Sequence, residues 1–143
     1  GYSLIRKVIE AENELWLYTD IRTPKVQEIK ENSAISWHFY HPKQQVQIRL
    51  YGTAELVHNQ AINHQIWKEL PDYGKTDYLT KSAPGSIKNQ INTEQISTDD
   101  AQNFCIIKTK INKIDWLQLS RSEHLRAGFD FINKEWVGKW LIP

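Results

Sequence analysis

The sequence predicts a mainly β protein, an antiparallel barrel with peripheral helices, and three observations lead to this fold class. Short apolar runs rich in β-branched and aromatic residues recur along the chain, polar turns separate them, and only two or three stretches have helical spacing. Strands joined by short turns pair antiparallel, and such a sheet closes readily into a barrel. A chain of 143 residues normally forms one domain, so we expect a single domain over residues 1–143.

A hairpin begins the chain. Residues 3–8 are expected to form a first strand and residues 10–14 a polar turn. The aromatic run at residues 15–18 has the composition of a buried strand, and Asp20 ends it. Because the turn is short, the two strands should pair antiparallel.

A helix should follow this hairpin directly. Thr23 stands at the position of an N-cap, and Pro24 occupies the first helical position, where proline is favoured. Val26 and Ile29 begin an apolar face at helical spacing, which continues to about Asn32.

The start of this helix also has the composition of a phosphate site. The N–H groups of a helix N-terminus attract anions, and Arg22 and Lys25 add two cations. The hydroxyls of Thr19 and Thr23 add further donors. From these residues alone, a capped surface helix with two solvated cations is the simpler interpretation.

Two further strands are expected at residues 34–40 and 45–57, with a turn at residues 41–43. The longer strand, residues 45–57, has polar side chains on one face, and these require water, a ligand or a partner. Gly52 in the middle of this strand predicts a bulge or a close backbone approach. The alternating residues of the longer strand are Val46, Ile48 and Leu50 on one face and Gln45, Gln47 and Arg49 on the other.

The second half of the chain contains a helix, an irregular segment and more strands. Residues 58–70 have helical spacing, which Pro71 ends. Residues 71–101 are the least regular, and we expect a short helix near Tyr78 and Leu79 within a mobile loop that covers a site. The remaining expected elements are strands at residues 103–109, 114–119, 124–131 and 136–142, with a turn at Asn133 and Lys134.

Composition limits the classes of partner. A net charge of +1 is too small for a nucleic-acid or polybasic membrane surface. No apolar run approaches the roughly 20 residues of a membrane span, and the N-terminus has no signal-like apolar core. We therefore expect a cytoplasmic protein that binds neither nucleic acid nor membrane. Because methionine is absent even at position 1, the sequence is expected to be an incomplete or processed form of the encoded product.

Single residues add little chemistry to this prediction. The one cysteine, Cys105, lies in an apolar run and is interpreted as a small core residue, which suits a reducing compartment. His38 and His41 lack a third ligand, so no metal site is predicted. Six Trp and six Tyr are many for this length, and such side chains often line ligand pockets or subunit interfaces.

Three features of spacing together carry a resemblance to a known family. Residues 18–26 form a Tyr-Thr-Asp-x-Arg-Thr-x-Lys-Val strand–turn–helix, Gln47 precedes Gly52 by five residues, and Trp116 precedes Arg126 by ten. With these features the chain resembles, over nearly its whole length, the pyridoxamine 5′-phosphate oxidase-related family of FMN-binding split barrels. In that family the first feature holds the FMN phosphate, the glutamine contacts the flavin ring, and the last pair reaches FMN across a dimer interface.

The resemblance implies a six-stranded antiparallel split barrel of Greek-key type. It also implies a homodimer with FMN at the subunit interface and an FMN-dependent oxidoreductase that passes a hydride between a small-molecule substrate and the flavin. His124 is the candidate catalytic residue, to orient substrate or move a proton, and with Ser86 and Ser122 it occupies a substrate position. The implied FMN-binding residues are Tyr18, Thr19, Arg22, Thr23, Lys25, Gln47, Trp116 and Arg126, and Arg6 on the first strand is a further candidate.

Departures from the family pattern concern the substrate more than the cofactor. Ser122 stands where the oxidases have a substrate-gripping arginine, with Arg121 one place away. The arginine expected within residues 78–82 is absent, with Lys81 as a substitute, and Pro24 replaces another arginine. The pattern favours an FMN protein with an altered substrate pocket. The alternatives are a non-catalytic flavin-binding or sensing module and, less favoured, a haem-binding relative on the same barrel.

Overall fold

The computed structural model describes residues 3–80, 83–87 and 102–143, in which seven β-strands and three α-helices occur. Hydrogen bonds join the strands in the order β1-β2-β5-β4-β3, and β6 pairs with β5 and β7. The mainly β prediction is confirmed, with seven strands where six were expected. The elements are β1 (Lys7–Ile9), β2 (Glu14–Asp20), α1 (Pro24–Glu31), β3 (Ala34–His41), β4 (Val46–Leu56), α2 (Gln60–Glu69), α3 (Asp72–Lys75), β5 (Phe104–Gln118), β6 (Leu125–Ile132) and β7 (Glu135–Leu141), with 3₁₀ turns at Glu10–Glu12 and Thr76–Tyr78.

The longest strand, β5, replaces two that were predicted at residues 103–109 and 114–119. The polar residues between them suggested a break in the strand. Ile111 nevertheless lies buried, and its N–H donates to the Asn13 carbonyl at 2.9 Å, so the backbone pairing continues through this segment. The polar residues in the middle of β5 are the solvent-facing positions of one continuous strand, and they do not separate two strands.

The first strand is shorter than predicted, since β1 starts at Lys7 and not at residue 3. The Arg6 N–H still donates to the Trp16 carbonyl at 2.8 Å, so the expected pairing with β2 extends one residue before β1. Earlier in the segment, the Ser3 hydroxyl accepts a hydrogen bond from Lys25. This side-chain hydrogen bond connects Ser3 to helix α1, in a segment that forms no β-strand.

The two later hairpins follow the sequence prediction. β3 and β4 are antiparallel, with Ala34 opposite Thr53 and His41 opposite Val46. β6 and β7 are also antiparallel, and the turn between them was predicted. Its residues Asn133 and Lys134 have φ values of 51° and 66°, the left-handed conformation that a tight two-residue hairpin turn requires.

Helices α1 and α2 differ in how their N-termini are capped. Pro24 opens α1 as predicted, but the Thr23 hydroxyl makes no capping hydrogen bond to the helix. In α2 the Asn59 carboxamide accepts from the N–H groups of Ala61 and Ile62 at 3.0 and 3.2 Å, which satisfies two end groups of the helix.

The segment after α2 is described only in part. The helix predicted near Tyr78 and Leu79 is present as the 3₁₀ turn Thr76–Tyr78 that follows α3. Residues 81, 82 and 88–101 of the predicted loop lie outside the described residues, and they include Lys81.

The chain divides into two compact units whose residues alternate along the sequence. The prediction of one domain over residues 1–143 stays a prediction. The first unit comprises Gly1–Lys7, Trp16–Ser33 and Glu55–Lys108, and the second comprises Val8–Leu15, Ala34–Ala54 and Thr109–Pro143.

The core of the first unit is built on the start of β5. Ile106 and Ile107 are fully buried, and each contributes about 2–3 kcal/mol by removing its side chain from water. Cys105 is buried beside them, as predicted, and burial raises the pKa of its thiol to about 11. An aromatic cluster, formed by Tyr18, Trp67, Tyr78 and Phe104, extends this core, with neighbouring ring centroids 5.2–6.1 Å apart.

In the second unit, backbone and side chains of neighbouring strands meet closely. The Trp37 indole N–H donates to the Thr109 hydroxyl at 3.0 Å, and that hydroxyl donates to the Leu15 carbonyl at 2.6 Å. A Cβ placed on Gly52 would overlap the carbonyl oxygen of Lys110, so the close backbone approach predicted at this glycine is confirmed.

Candidate functional site

The turn between β2 and α1 is held by an ion pair that the sequence analysis did not identify. The Arg22 guanidinium contacts both carboxylate oxygens of Asp20, with Nε donating to Oδ1 at 2.9 Å and Nη2 to Oδ2 at 2.7 Å. Its Nη1 donates to the Thr80 carbonyl at 2.9 Å. Because Asp20 is only 4% exposed, its carboxylate needs this partner, and the pair fixes the turn.

This pairing changes the expected contribution of Arg22 to an anion site. The hydrogen bond with Asp20 raises the pKa of the guanidinium, which therefore stays charged. Much of that positive charge is balanced by the carboxylate beside it. The Arg22 guanidinium thus binds the Asp20 carboxylate and the Thr80 carbonyl, and the remaining cation of the predicted cluster is Lys25.

Lys25 and two threonines lie at the N-terminal end of α1. The Lys25 ammonium donates to the Ser3 hydroxyl at 2.7 Å. The Thr23 hydroxyl donates to the Asp20 carbonyl at 2.9 Å, and it lies 3.4 Å from the Thr19 hydroxyl. The structure therefore brings three predicted phosphate-binding side chains to the end of a helix whose dipole is positive there.

The other two candidates of the first unit, Arg6 and Tyr18, contact each other. The Arg6 guanidinium carbon lies 4.9 Å from the centroid of the Tyr18 ring, a cation–π distance. Burial raises the pKa of the Tyr18 phenol, and the nearby charge of Arg6 opposes that shift. The phenol is therefore neutral at ordinary pH, and Tyr18 also packs edge to face on Phe104 at 5.3 Å.

In the second unit, Gln47 and Arg126 line one cavity of about 220 Å³. Arg126 is held there by Asp115, with Nη2 to Oδ2 at 2.7 Å and Nε to Oδ1 at 3.1 Å. The hydrogen bond from Arg126 is the main cause that lowers the pKa of Asp115, so this carboxyl is ionised. The full lining consists of Gln47, Arg49, Asp115, Leu117, Arg126 and Pro143.

Trp116 faces the opposite side of the same ladder. In the β5–β6 register, Trp116 is opposite Ala127 and Arg126 is opposite Leu117, and opposed residues share a face while successive residues alternate. Trp116 accordingly lines another cavity of about 440 Å³, where its ring centroid lies 6.5 Å from that of Trp140. Within one chain the predicted Trp116 and Arg126 pair therefore does not converge on one cavity.

The three predicted substrate residues are exposed. Ser122 and His124 lie in the β5–β6 loop, where the backbone N–H of Ser120 donates to His124 Nδ1 at 3.2 Å. The Ser120 hydroxyl also bonds to the backbone of Glu123, which closes the loop locally. Ser86 lies in a turn of the first unit, where its N–H donates to the Ala83 carbonyl at 3.1 Å. All three residues are therefore open to solvent within the unit to which each belongs.

Four residues that these clusters depend on were missing from the predicted site. Asp20 was identified only as the end of a strand, and no local signal identifies Thr80, which lies 58 residues from its partner Arg22. Arg49 shares a face with Gln47 in the predicted alternation, which was the available signal. Asp115 is adjacent to Trp116, but its pairing with Arg126 depends on the register of β5 and β6.

A sequence profile of the family described as pyridoxamine 5′-phosphate oxidase like matches residues 5–73. This match confirms the family resemblance predicted from the sequence. The matched segment contains strands β1 to β4 and helices α1 and α2. No curated protein sequence is significantly similar to the chain.

Several solved structures have the same fold as this chain. A protein from Nostoc punctiforme PCC 73102, described as pyridoxamine 5′-phosphate oxidase-related and FMN binding, has a TM-score of 0.81 and 21% identity over 99% of this chain and 79% of that chain. PhzG from Burkholderia lata 383, in complex with tetrahydrophenazine-1-carboxylic acid, has a TM-score of 0.74 and 12% identity over 97% and 72% of the two chains.

A third structure extends the same similarity. It is a protein from Clostridium acetobutylicum related to general stress protein 26 and placed in the pyridoxinephosphate oxidase family, with a TM-score of 0.55 and 17% identity over 87% of this chain and 71% of that chain. Together these likenesses confirm the predicted split-barrel fold class.

The described part of the chain has neither a cluster of metal ligands nor a membrane-spanning helix. No group of three His, Cys, Asp or Glu side chains is placed to hold a metal ion among residues 3–80, 83–87 and 102–143. None of the helices within the same ranges combines the length and apolar character needed to cross a membrane.

Proposed function

We propose that the protein binds FMN and acts as an FMN-dependent oxidoreductase with an altered substrate pocket. The observation that carries the proposal is the cluster of Lys25, Thr19 and Thr23 at the N-terminus of α1, on a turn that the Asp20–Arg22 ion pair holds in place. The similarity to the Nostoc protein described as FMN binding supports FMN as the anionic ligand.

The side chains of this turn suit the phosphate of FMN in both charge and donors. An ammonium has three N–H donors, and Lys25 uses one of them on Ser3, so two can serve a phosphate oxygen. The Thr19 hydroxyl lies at the same end of the helix, and the Thr23 hydroxyl, whose one O–H donates to the Asp20 carbonyl, would offer its donor to a phosphate by rotating away from that carbonyl. The helix N-terminus adds a favourable field for negative charge. Arg22 would keep this arrangement fixed through Asp20.

Two side chains of the second unit suit a flavin ring. When bound, FMN supplies the hydride-accepting chemistry of the reaction. The Gln47 carboxamide can donate and accept hydrogen bonds, as the edge of the ring requires. The Arg126 guanidinium, kept in place by Asp115, would stabilise negative charge on the ring.

We further propose a homodimer with FMN at the subunit interface. Support comes from strand β7, which pairs with β6 and has apolar side chains in solvent on both faces. Trp140 is 73% exposed and Val137 is 51% exposed, more apolar surface than an edge strand of a monomer normally leaves in water. Light scattering of the protein with and without FMN would give the mass directly, and a monomer in both states would contradict this arrangement.

The first experiment is an FMN titration followed by the quenching of flavin fluorescence. We expect Lys25→Gln to weaken FMN binding about tenfold, which corresponds to the loss of one charge-assisted hydrogen bond of about 1.4 kcal/mol. Lys30→Gln is the matched control, because Lys30 is an exposed lysine in the last turn of the same helix. Absence of binding by the unaltered protein at high micromolar FMN, or equal losses in both variants, would contradict the proposed phosphate site.

A non-catalytic flavin-binding module is the second candidate, and one observation favours it. Ser122 and His124, which occupy the predicted substrate positions, lie in an exposed loop, and the Nδ1 atom of His124 accepts a hydrogen bond from the loop itself. Anaerobic bleaching of the visible flavin absorbance by an added substrate would support the oxidoreductase. Bound FMN that no tested electron donor reduces would favour the module.

A further inference from the structure

The cavity that contains Gln47 and Arg126 also contains a cation to which the proposed flavin site gives no role. Arg49 lies two residues after Gln47 on β4, so both side chains are on the same face of the strand. The residues of this cavity all belong to the second unit. Arg49 is exposed, and within residues 3–80, 83–87 and 102–143 no carboxylate forms an ion pair with it.

The charges around the cavity leave Arg49 as the group available to an anion. Arg126 and Asp115 satisfy each other through two hydrogen bonds of 3.1 and 2.7 Å. Arg49 is close enough to contribute to the lowered pKa of Asp115, after the larger effect of Arg126. The lining side chains comprise one carboxylate and two guanidinium groups, and Asp115 pairs with Arg126, so the guanidinium left without a carboxylate partner among these side chains is that of Arg49.

We infer that Arg49 binds the acidic group of the substrate, a carboxylate or a phosphate ester, in the cavity beside Gln47. The guanidinium presents a planar fork of donors that matches both of these anions. A volume of about 220 Å³ is below the range of roughly 300–1,000 Å³ that is usual for drug-sized ligands, so it suits one end of a small molecule. This inference rests on the proposed function, because the bound molecule is taken to be the electron donor to the flavin.

The test measures anion binding at the cavity itself. Acetate and inorganic phosphate are titrated at constant ionic strength into ¹⁵N-labelled protein, and the side-chain amide signals of Gln47 report on the cavity. The backbone amide of Lys25 reports separately on the turn before α1, where phosphate can also bind. A shift with acetate alone would identify a carboxylate as the ligand group, and a shift with phosphate alone would identify a phosphate ester.

Arg49→Gln should weaken the binding seen at Gln47 at least tenfold, and Arg49→Lys should recover part of it. The matched control is Lys113→Gln, since Lys113 is an exposed cation on β5 that acts on Asp115 but does not line the cavity. This control should change the affinity less than twofold. FMN affinity, measured on the same variants, should be unchanged in Arg49→Gln.

Two results would overturn the inference. One is the absence of any shift at Gln47 with either anion, and the other is an equal loss in Arg49→Gln and Lys113→Gln. Failure of the proposed function has a different signature, because the protein would then not bind FMN while anion binding still depended on Arg49.

Discussion

Replacing Gly52 with alanine tests the packing of β4 against β5 in the second unit. The added Cβ would overlap the Lys110 carbonyl oxygen, and it would lie 2.8 Å from the Lys110 carbonyl carbon and 3.0 Å from Ile111 Cα. These neighbours are main-chain atoms of a paired strand, so they cannot move aside as the end of a flexible side chain would.

The expected cost follows from these distances. Carbon atoms in contact are normally about 3.5–4.0 Å apart, so each strand must move by roughly 0.5–1 Å to admit one methyl group. Such a shift lengthens backbone hydrogen bonds on both sides of Gly52. Overpacking of this kind costs about 1–3 kcal/mol in cores that can adjust, and a backbone clash belongs at or above the upper end. We therefore expect Gly52→Ala to lower the free energy of unfolding by about 3 kcal/mol or more.

Urea unfolding followed by tryptophan fluorescence would measure this loss at one fixed protein concentration. Gly74→Ala is the matched control, because the nearest atoms to its Cβ belong to the Pro71 ring at an ordinary 3.6 Å. Gly74 lies in α3, where alanine is favoured over glycine, so this control should be neutral or slightly stabilising. A Gly52→Ala protein within about 0.5 kcal/mol of the unaltered chain would refute the close approach of these two strands.

The other predictions concern buried or paired ionisable groups. Arg22→Met should destabilise the protein by about 3 kcal/mol because it leaves the buried Asp20 carboxylate without its partner, and Arg22→Lys should recover part of this in urea unfolding. The Cys105 thiol has a pKa of about 11 in the folded protein against 9.0 when exposed, so as the pH rises it ionises first in the unfolded chain. Its contribution to the free energy of unfolding is therefore fully present below pH 9 and falls by about 2–3 kcal/mol as the pH rises towards 11. A Cys105→Ala variant should therefore show a flatter alkaline decline in stability, and in the unaltered protein a thiol reagent should react at pH 8 only as fast as the core opens. Since the pKa of Asp115 is lowered by Arg126, Asp115→Asn should remove stability at neutral pH and reduce the loss seen on acidification through the carboxyl pKa.

Local sequence signals predicted the fold well wherever the structure depends on neighbours in the chain. Asn133 and Lys134 define a tight turn because their conformation is local, and Pro24 begins α1 for the same reason. The strand break expected within β5 was wrong because the polar residues there are compatible with pairing on both sides of Ile111. Tertiary contacts decided that case, and a window of sequence does not contain them.

The candidate site was predictable as a list of residues but not as a set of partners. Lys25 and the two threonines are near in sequence and also near in space, so their cluster followed from helix chemistry. Arg22 carried the right charge, yet its partners are a carboxylate two residues away and a carbonyl at Thr80. Charge alone therefore overstated what Arg22 offers to a ligand.

The register between β5 and β6 explains why the positions of Trp116 and Arg126 were harder to predict than those of Lys25 and the two threonines. Trp116 lies opposite Ala127, one residue from Arg126, and a displacement of one residue in an antiparallel ladder exchanges the two faces. The loop between β5 and β6 sets that displacement, and a spacing of ten residues is compatible with either outcome. The observed register gives Arg126 the polar cavity with Gln47 and Arg49, and gives Trp116 an apolar one. Within one chain, the flavin-ring chemistry proposed for Arg126 and the aromatic contact expected of Trp116 consequently belong to different surfaces. A dimer in which each chain offers both surfaces reconciles them, which is why the mass measurement bears on the site as well as on assembly.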